Sequence, residues 1–262
     1  MRIGIYQSAL AGLTPVERLA KLETTLATTD LDLVVCPELF MSGYNVGDAL
    51  TTLAEPIDGS YTSGMIKLAT NTRTAIVFGY PELAGTHIYN SALCVDAQGE
   101  IVANHRKLLL PPGFESDYFS SGDNTTIFEL GGMKCAILVC YDVEYPEAVR
   151  AVAELGAQLV IVPTALGDGW GIVTDKLIPT RAFENGVWLV YANHAGVENG
   201  LSYYGGSCIV APNGSDKARA SSIETLISAS IDIESVGKAQ ARLPYLHGVK
   251  QLRKKLAIAF NE

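Results

Sequence analysis

The chain has 262 residues, of which 48% are hydrophobic and 18% are charged, and its formal net charge is −9. This composition can supply the core of one large α/β domain, so we expect residues 1–262 to form a single domain. The acidic balance argues against a nucleic-acid partner, because phosphate binding needs a surplus of Lys and Arg. No apolar run is long enough to span a bilayer, and MRIGIYQSAL is typical of a first strand rather than a signal segment. We therefore expect a cytoplasmic protein without a membrane partner.

Five cysteines are scattered through apolar stretches of the sequence, and no CxxC pair occurs among them. An odd number in this arrangement is typical of neither a disulfide framework nor a zinc module. We expect most of these cysteines to be small core residues and at most one or two to be reactive. The dinucleotide and phosphate-loop patterns GxGxxG and GxxxxGK[ST] do not occur either. The sequence therefore predicts no metal and no other cofactor.

The first part of the chain alternates between strand and helix patterns. RIGIYQSAL predicts a strand, and TPVERLAKLETTLATTD predicts a helix in which Thr14 and Glu17 have the spacing of a capping box. A buried strand (LDLVVCPE), an amphipathic helix (SGMIKLATNTR) and another strand (TAIVFGYPEL) follow. Between Ile88 and Lys107, two alternating runs surround residues 97–99, which predicts a hairpin.

The second part of the chain continues with a hairpin around Gly131 and Gly132. A helix (YPEAVRAVAELG), a strand (AQLVIVPTA), a helix (VTDKLIPTRAFENG) and a strand (VWLVYANHAG) come next. The last two strand patterns, GGSCIVAPNGS and ETLISASID, are predicted to pair with each other before a C-terminal helix. Continuous apolar strands suit sheets that are covered on both faces, whereas hairpins supply antiparallel pairs. This mixture predicts a layered α/β sandwich with mixed sheets.

Three polar residues of different chemistry share one kind of location, the end of an apolar strand. Glu38 follows LVVCP, Lys107 follows EIVANHR, and Cys140 follows CAILV. Each residue alone has an ordinary interpretation as a cap, a surface charge or a core thiol. Together, with apolar flanks that draw them inside, they indicate a site, because a buried charge is costly unless it is paired. Strand ends in α/β proteins are where sites are usually built.

The segments LVVCPELFMSGYN, NHRKLLLPPGFES and ILVCYDVEYPEAVR resemble the three catalytic blocks of the nitrilase superfamily of carbon–nitrogen hydrolases. The similarity continues in IVPTA, RAFENGVWLVYANHAG and YGGSCIVAPNG, and it covers nearly the whole chain in the family's order. The resemblance implies a four-layer α-β-β-α sandwich with two mixed sheets. It also implies a catalytic triad of Glu38, Lys107 and Cys140, with Glu115 as a further acid eight residues after the lysine.

The chemistry that these residue types can perform agrees with the resemblance. A thiol is a weak nucleophile until it loses its proton, so Glu38 would take the proton from Cys140 and later return it to the departing amine. Lys107, with a backbone N–H near Tyr141, would stabilise the oxyanion. Ammonia would leave a thioester, which water activated by Glu38 would hydrolyse. Glu115 would position Lys107 or the substrate amide.

Within the superfamily, CYDVEYPE resembles the block of amidases that act on simple or stereochemically defined small-molecule carboxamides. Tyr141 follows the nucleophile where true nitrilases usually carry tryptophan, so we rank an amidase first, an N-carbamoyl amino acid hydrolase second and a nitrilase third. A catalytically silent interaction protein is the alternative outside the enzymes, and a Cys–His dyad with His105 or His194 is disfavoured by its sequence context. The candidate pocket walls are aromatic, and they comprise Tyr44, Phe114, Tyr141 and Trp170.

Resemblance also predicts the assembly of the protein. Superfamily members form dimers and larger oligomers through the helices flanking the nucleophile and through the C-terminal tail. YPEAVRAV, the RAFEN helix and the tail at about residues 240–262, which includes LRKKLAIAF, are therefore the predicted interface of a homodimer or larger homo-oligomer.

Overall fold

Two six-stranded mixed sheets form the centre of the structure, a computed structural model that describes residues 1–256 apart from the side chain of Leu256. The strands of that part of the chain are β1 (Arg2–Gln7), β2 (Leu33–Val35), β3 (Ala75–Ala84), β4 (His87–Val95), β5 (Ile101–Arg106), β6 (Thr126–Leu130), β7 (Met133–Ile137), β8 (Leu159–Pro163), β9 (Trp188–Ala192), β10 (Val197–Glu198), β11 (Leu201–Ser202), β12 (Cys208–Val210), β13 (Asp216–Arg219) and β14 (Thr225–Ser230). The first sheet has the order β14-β1-β2-β3-β4-β5, and the second has the order β13-β12-β9-β8-β7-β6.

Parallel strands lie at the centre of each sheet, and antiparallel strands lie at its edges. In the first sheet β1, β2 and β3 run parallel, while β14, β4 and β5 add antiparallel pairs. The second sheet repeats this plan with β7, β8 and β9 at its centre. The carboxyl ends of the parallel strands in each sheet therefore open onto one edge, where sites in α/β proteins are commonly built.

The two sheets pack face to face over a shared apolar core. Residues of alternating position on each strand enter it, such as Ile3 and Ile5 of β1 and Ile161 of β8. The intervening residues, such as Val34 of β2 and Val160 of β8, face the outer helices instead. This arrangement explains why the central strands are apolar without interruption, because both of their faces are covered.

Helices cover the outer face of each sheet. The described residues form α1 (Pro15–Leu26), α2 (Leu50–Leu53), α3 (Ser60–Thr72), α4 (Phe114–Tyr118), α5 (Pro146–Glu154), α6 (Ile178–Asn185), α7 (Ile233–Arg242) and α8 (Tyr245–Leu256). Leu22 of α1 and Met65 of α3 pack on the first sheet, and Val149 of α5 and Ala182 of α6 pack on the second. The predicted four-layer α-β-β-α sandwich with two mixed sheets is confirmed. No helix among residues 1–256 is long and apolar enough to cross a membrane.

The start of α1 follows the predicted capping box. The Thr14 hydroxyl accepts a hydrogen bond from the backbone N–H of Glu17, and the Glu17 carboxylate accepts one from the backbone N–H of Thr14 at 2.8 Å. This reciprocal pair satisfies two N–H groups that a helix start leaves without partners.

The predicted hairpin between the last two strand patterns is wrong. β12 pairs with β13 and β9 in the second sheet, whereas β14 pairs with β1 in the first sheet. The short strand β13, with the sequence DKAR, carries no apolar alternation, and the sequence pattern therefore did not indicate it.

The C-terminal helix α8 packs on α5 and α6 of its own chain. Arg253 binds Glu154 of α5 at 3.0 Å, and the rings of Tyr245 and Phe183 lie 5.8 Å apart. Residues 257–262 of the predicted interface lie outside the described residues. The homo-oligomer interface stays a prediction.

Candidate active site

Glu38 lies in a tight loop that follows β2. The backbone of this loop is bound to β3, because Gly79 N donates to Pro37 O at 3.2 Å and Met41 N donates to Gly79 O at 3.1 Å. A Cβ atom on Gly79 would collide with the backbone nitrogen of Leu39 and lie 2.8 Å from Glu38 Cα. The close approach of the two backbones therefore requires glycine at position 79.

Lys107 directly follows β5 and is fully buried. Its backbone N–H donates to Asn90 O of the neighbouring strand β4 at 2.8 Å, which continues the sheet pairing to the lysine itself. The next two residues are held from the other side, because Leu108 N and Leu109 N donate to the Asp142 carboxylate at 3.3 and 2.9 Å. Asp142 therefore links the loop after Lys107 to the segment that contains Cys140.

Cys140 lies beyond the end of β7 rather than on the strand. The strand ends at Ile137, and a 3₁₀ helix begins at Cys140 with a backbone φ of +46°. A positive φ is uncommon for a residue other than glycine, and such conformations concentrate at functional sites. Cys135, earlier on the same strand, is fully buried in the core between the sheets, as predicted. Cys36 is also buried, in the core under the outer helices.

The structure brings the side chains of Glu38, Lys107 and Glu115 into direct contact. Lys107 Nζ donates to Glu38 Oε1 at 2.7 Å and to Glu115 Oε1 at 2.6 Å. All three side chains are essentially inaccessible to solvent, with Glu115 supplied by α4. When both carboxylates are ionised, the cluster around the one ammonium carries a net negative charge, which makes it unlike a simple buried ion pair.

Asn90 is a site residue that sequence reasoning missed. Its Nδ2 atom donates to Glu38 Oε1 at 2.7 Å and to Glu115 Oε2 at 3.1 Å, so it binds both carboxylates. Tyr44 makes a further contact through its hydroxyl, which donates to Glu115 Oε1 at 2.6 Å. The available signal in the sequence was a polar amide shortly before the apolar run ALCV, and the structure buries that amide fully.

Burial controls the protonation of the cluster. It raises the pKa of Glu38 to about 7, with Lys107 opposing the rise and Glu115 adding to it. For Lys107, burial lowers the pKa, but the charges that Glu38, Cys140 and Glu115 carry when ionised outweigh it, and the net pKa lies above the ordinary value. Burial and then the Glu38 charge raise the pKa of the Cys140 thiol, while Lys107 opposes them. The resting site therefore holds a neutral thiol, an ammonium and a carboxylate that can take a proton near neutral pH.

One oxygen of Glu38 is available for that proton. Within residues 1–256, no hydrogen bond reaches Glu38 Oε2, although the atom is buried. The main chain of Glu38 is fixed by His194, whose Nε2 lies 2.7 Å from Glu38 O and must carry the proton, since a carbonyl only accepts. Burial lowers the pKa of His194 to about 4, so the imidazole is neutral at pH 7.

Neither candidate histidine forms a dyad with the nucleophile. His105 contacts Thr126 Oγ1 at 3.1 Å and the Asp142 carboxylate at 3.6 Å, and His194 binds Glu38 O. Within the described residues, neither imidazole hydrogen-bonds to Cys140, which agrees with the expectation from the sequence context.

A cavity of about 540 Å³ opens above Cys140, in the size range of small-molecule sites. Three of the predicted wall residues, Tyr44, Tyr141 and Trp170, line it. Phe114 does not line the cavity and packs behind Tyr44, with ring centroids 5.3 Å apart, because α4 directs it into a satellite apolar cluster. The wall contributed by Tyr203 was not predicted, since β11 and its loop carry no motif.

Comparisons with known proteins identify the family of this chain. The sequence model of the family described as carbon-nitrogen hydrolase matches residues 9–241. The chain belongs to the carbon-nitrogen hydrolase family. It is 40% identical over 250 residues to the "hydrolase in pqqF 5'region" of Pseudomonas protegens, which covers 94% of this chain and 88% of that protein. It is 34% identical over 249 residues to an (R)-stereoselective amidase of Pseudomonas sp., covering 94% of this chain and 90% of the relative.

Solved structures of carbon-nitrogen hydrolases resemble this one in fold. The NitN amidase from Nesterenkonia sp. AN1 superposes with a TM-score of 0.85 at 33% identity, covering 94% of this chain and 98% of that one. A glutamate-to-glutamine mutant of that amidase, with acrylamide added to its active-site cysteine, gives a TM-score of 0.84 at 32% identity and covers 93% of this chain and 98% of its own. The predicted family is thus confirmed, and this carbon-nitrogen hydrolase is an enzyme of the nitrilase superfamily.

Proposed function

We propose that this hydrolase is an amidase that converts small carboxamides into carboxylic acids and ammonia through a thioester on Cys140. The observation that carries the proposal is the contact between Lys107 and Glu38, whose second carboxylate oxygen no described residue binds, with Cys140 close enough for both charges to affect its pKa. Cys140 itself lines a cavity of small-molecule size. The names of the relatives support it, since an (R)-stereoselective amidase and the Nesterenkonia amidase are among them.

In the acylation step, the Cys140 thiol attacks the amide carbon while its proton passes to Glu38 Oε2. The carbonyl oxygen of the substrate becomes an oxyanion. Two N–H groups of Lys107 bind Glu38 and Glu115, and an ammonium has three, so the third can donate to that oxyanion. The backbone N–H of Tyr141 is the second proposed donor. Because the ammonium is already held in place, it needs no reorganisation as the negative charge develops.

Collapse of the tetrahedral intermediate breaks the carbon–nitrogen bond. Glu38 returns the proton to the amine, which leaves as ammonia, and the acyl group stays on sulfur as a thioester. A water molecule then gives its proton to Glu38 and attacks the thioester, and the thiol is restored when the acid leaves. Over one cycle an amide and water give an acid and ammonia, and every protein group returns to its starting state.

Glu115 holds Lys107 and does not take part in proton transfer in this proposal. Its Oε1 atom accepts from both Lys107 Nζ and the Tyr44 hydroxyl, so its lone pairs face fixed donors. The carboxylate thereby keeps the ammonium charged and directed towards the cavity floor, which is the positioning that oxyanion stabilisation requires.

The test is ammonia release from a panel of primary amides, N-carbamoyl amino acids and nitriles, with Cys140→Ala as the variant. We expect amide turnover to fall by at least about 10³-fold in this variant, since a covalent mechanism loses its nucleophile. Cys135→Ala is the matched control, because that thiol lies in the core between the sheets and should leave turnover in place. Mass spectrometry of the acylated enzyme should show the acyl mass on the peptide that contains Cys140. Wild-type turnover in Cys140→Ala would rule out the mechanism, and preference for carbamoyl compounds or nitriles would replace the proposed substrate class.

A further inference from the structure

Glu144 is a charged residue in the cavity wall that the proposed reaction does not use. It ends the 3₁₀ helix that begins at Cys140, and it is partly buried beside the nucleophile. The other ionisable carboxylate in the wall, Glu115, is bound to Lys107. Among the described residues that line the cavity, none is Lys, Arg or His. Glu144 therefore supplies the wall charge that a bound substituent would meet, and no salt bridge within residues 1–256 neutralises it.

The carboxylate of Glu144 has no cationic partner within the described part of the chain. The Arg181 guanidinium, which contacts the backbone of Glu144, binds Glu184 Oε1 at 3.0 Å and the main-chain oxygens of Val143 and Glu144 at 3.1 and 2.7 Å. Arg181 thus fixes the backbone of Glu144 and forms its ion pair with a different acid. Burial raises the pKa of Glu144 above its ordinary value, with Lys107 and then Arg181 opposing the rise, which shows that its charge is poorly solvated.

The position of the nucleophile determines which part of a substrate lies near Glu144. When the amide carbon is bound at Cys140 above Lys107, the acyl substituent has to extend into the cavity between Tyr141, Trp170 and Leu166. A carboxylate on that substituent would lose water beside another carboxylate, and like charges at short range repel. A protonated amine at the same place would form an ion pair with Glu144, so each of the two charges would gain a partner of opposite sign.

We propose that Glu144 selects the substrate class of the site, favouring carboxamides whose acyl group carries a protonated amine over uncharged ones and excluding those with a free carboxylate. This inference rests on the proposed amidase function. It extends that function, because it separates this enzyme from hydrolases of anionic amides and N-carbamoyl amino acids by a residue of its own cavity.

Three amides of nearly equal size test the inference at about pH 7, where amines are protonated and carboxylates ionised. β-Alaninamide carries an ammonium, butyramide carries a methyl group, and succinamate carries a carboxylate at the end of the same chain. For the wild-type enzyme we expect kcat/KM for β-alaninamide to exceed that for butyramide by roughly tenfold, and succinamate to fall below butyramide by at least about tenfold.

The variant Glu144→Gln keeps the size of the side chain and removes its charge. We expect the β-alaninamide to butyramide ratio to fall by roughly tenfold and the succinamate to butyramide ratio to rise by a similar factor. Glu147→Gln is the matched control, since Glu147 is an exposed acid in the first turn of α5 and does not line the cavity. It should leave both ratios unchanged. Circular dichroism confirms that each variant is folded.

The outcomes separate this inference from the function on which it rests. If butyramide is hydrolysed in a Cys140-dependent way but succinamate is equally good, the inference fails and the amidase proposal stands. Unchanged ratios in Glu144→Gln would likewise refute the inference and leave the amidase proposal standing. If none of the three amides releases ammonia, the amidase proposal and the inference fall together.

Discussion

Substituting Gly79 by alanine should disable the proposed base without touching any reactive group. Gly79 lies in β3, where the loop carrying Glu38 crosses it closely. The added Cβ would lie 2.8 Å from Glu38 Cα, and ordinary contact begins at 3.4 Å, so that atom has to recede by about 0.6 Å. Leu39 N would be closer still and has to move further. Both obstructing groups are backbone, which cannot rotate away.

The displacement should reduce catalysis, and overpacking should lower stability by about 1–3 kcal/mol at the same time. Proton transfer requires the base within hydrogen-bond reach of the thiol, and a misplacement of about 1 Å can cost roughly 10²-fold in rate. For a shift of at least about 0.6 Å we therefore expect kcat/KM to fall by about 10- to 100-fold. Lys107 binds Glu38 through the same carboxylate, so part of the loss should come from the ammonium as well.

The assay is ammonia release from butyramide, with the thermal unfolding midpoint measured in parallel. Gly237→Ala is the control, because Gly237 lies inside α7 and a Cβ there would have no heavy atom within 4 Å. That control should keep full activity and gain up to about 1 kcal/mol of stability from helix propensity. A folded Gly79→Ala enzyme with kcat/KM within about threefold of wild type would refute the assignment of the base to this loop.

Three further outcomes follow from the contacts of the site and its surroundings. The kcat/KM of the wild type should rise with pH through about 7, because burial raises the pKa of Glu38 to that value and only ionised Glu38 accepts the thiol proton. A pH profile whose acidic limb lies at the ordinary glutamate pKa would contradict this. Asn90→Leu removes the donor shared by the two carboxylates, so steady-state kinetics should show kcat lowered by about tenfold or more and the acidic limb of the pH profile moved to higher pH. Ser91→Ala on the same strand should show neither change, because the Ser91 hydroxyl binds a different acid. Arg18→Met leaves its buried acidic partner unpaired and should lower the unfolding free energy by about 3–5 kcal/mol in denaturant titrations. Lys21→Met removes an exposed ion pair and should lower it by less than about 1 kcal/mol. Equal losses would contradict the argument that burial makes the first pair more important.

Local patterns in the sequence were enough to predict most of the fold. The alternation of apolar strands and amphipathic helices indicated the layers, and the capping box at Thr14 marked the start of α1. The failure concerned β14, which looked like the partner of β12 but crosses to the first sheet and pairs with β1. The sheet that a strand joins is decided by contacts between residues that are distant in sequence. The next strand along the chain is only the commonest partner.

Site residues that belong to recognisable motifs could be predicted from the sequence. Site residues whose roles depend on tertiary contacts could not. Glu38, Lys107 and Cys140 stand at strand ends in recognisable blocks, and the structure places the first two in direct contact. Asn90 lies outside the recognised blocks, and Glu144 lies inside CYDVEYPE without a role that the resemblance assigns. The roles of both depend on which groups face them after folding. A polar residue within an apolar strand is a weak signal on its own, because most such residues are satisfied within the core.

The site depends on the packing of the two sheets against each other, because each sheet supplies different groups. Glu38 and Lys107 follow strands of the first sheet, and Cys140 follows β7 of the second. Hydrogen bonds that join these strand ends across the interface include one from Leu109 N to the Asp142 carboxylate at 2.9 Å and one from Glu38 N to a main-chain oxygen after β8 at 3.4 Å. The left-handed conformation of Cys140 persists only where surrounding contacts hold it, at a cost of about 1–3 kcal/mol. The contacts that join the sheets therefore also hold the nucleophile in its conformation, so core stability and site geometry depend on the same interface.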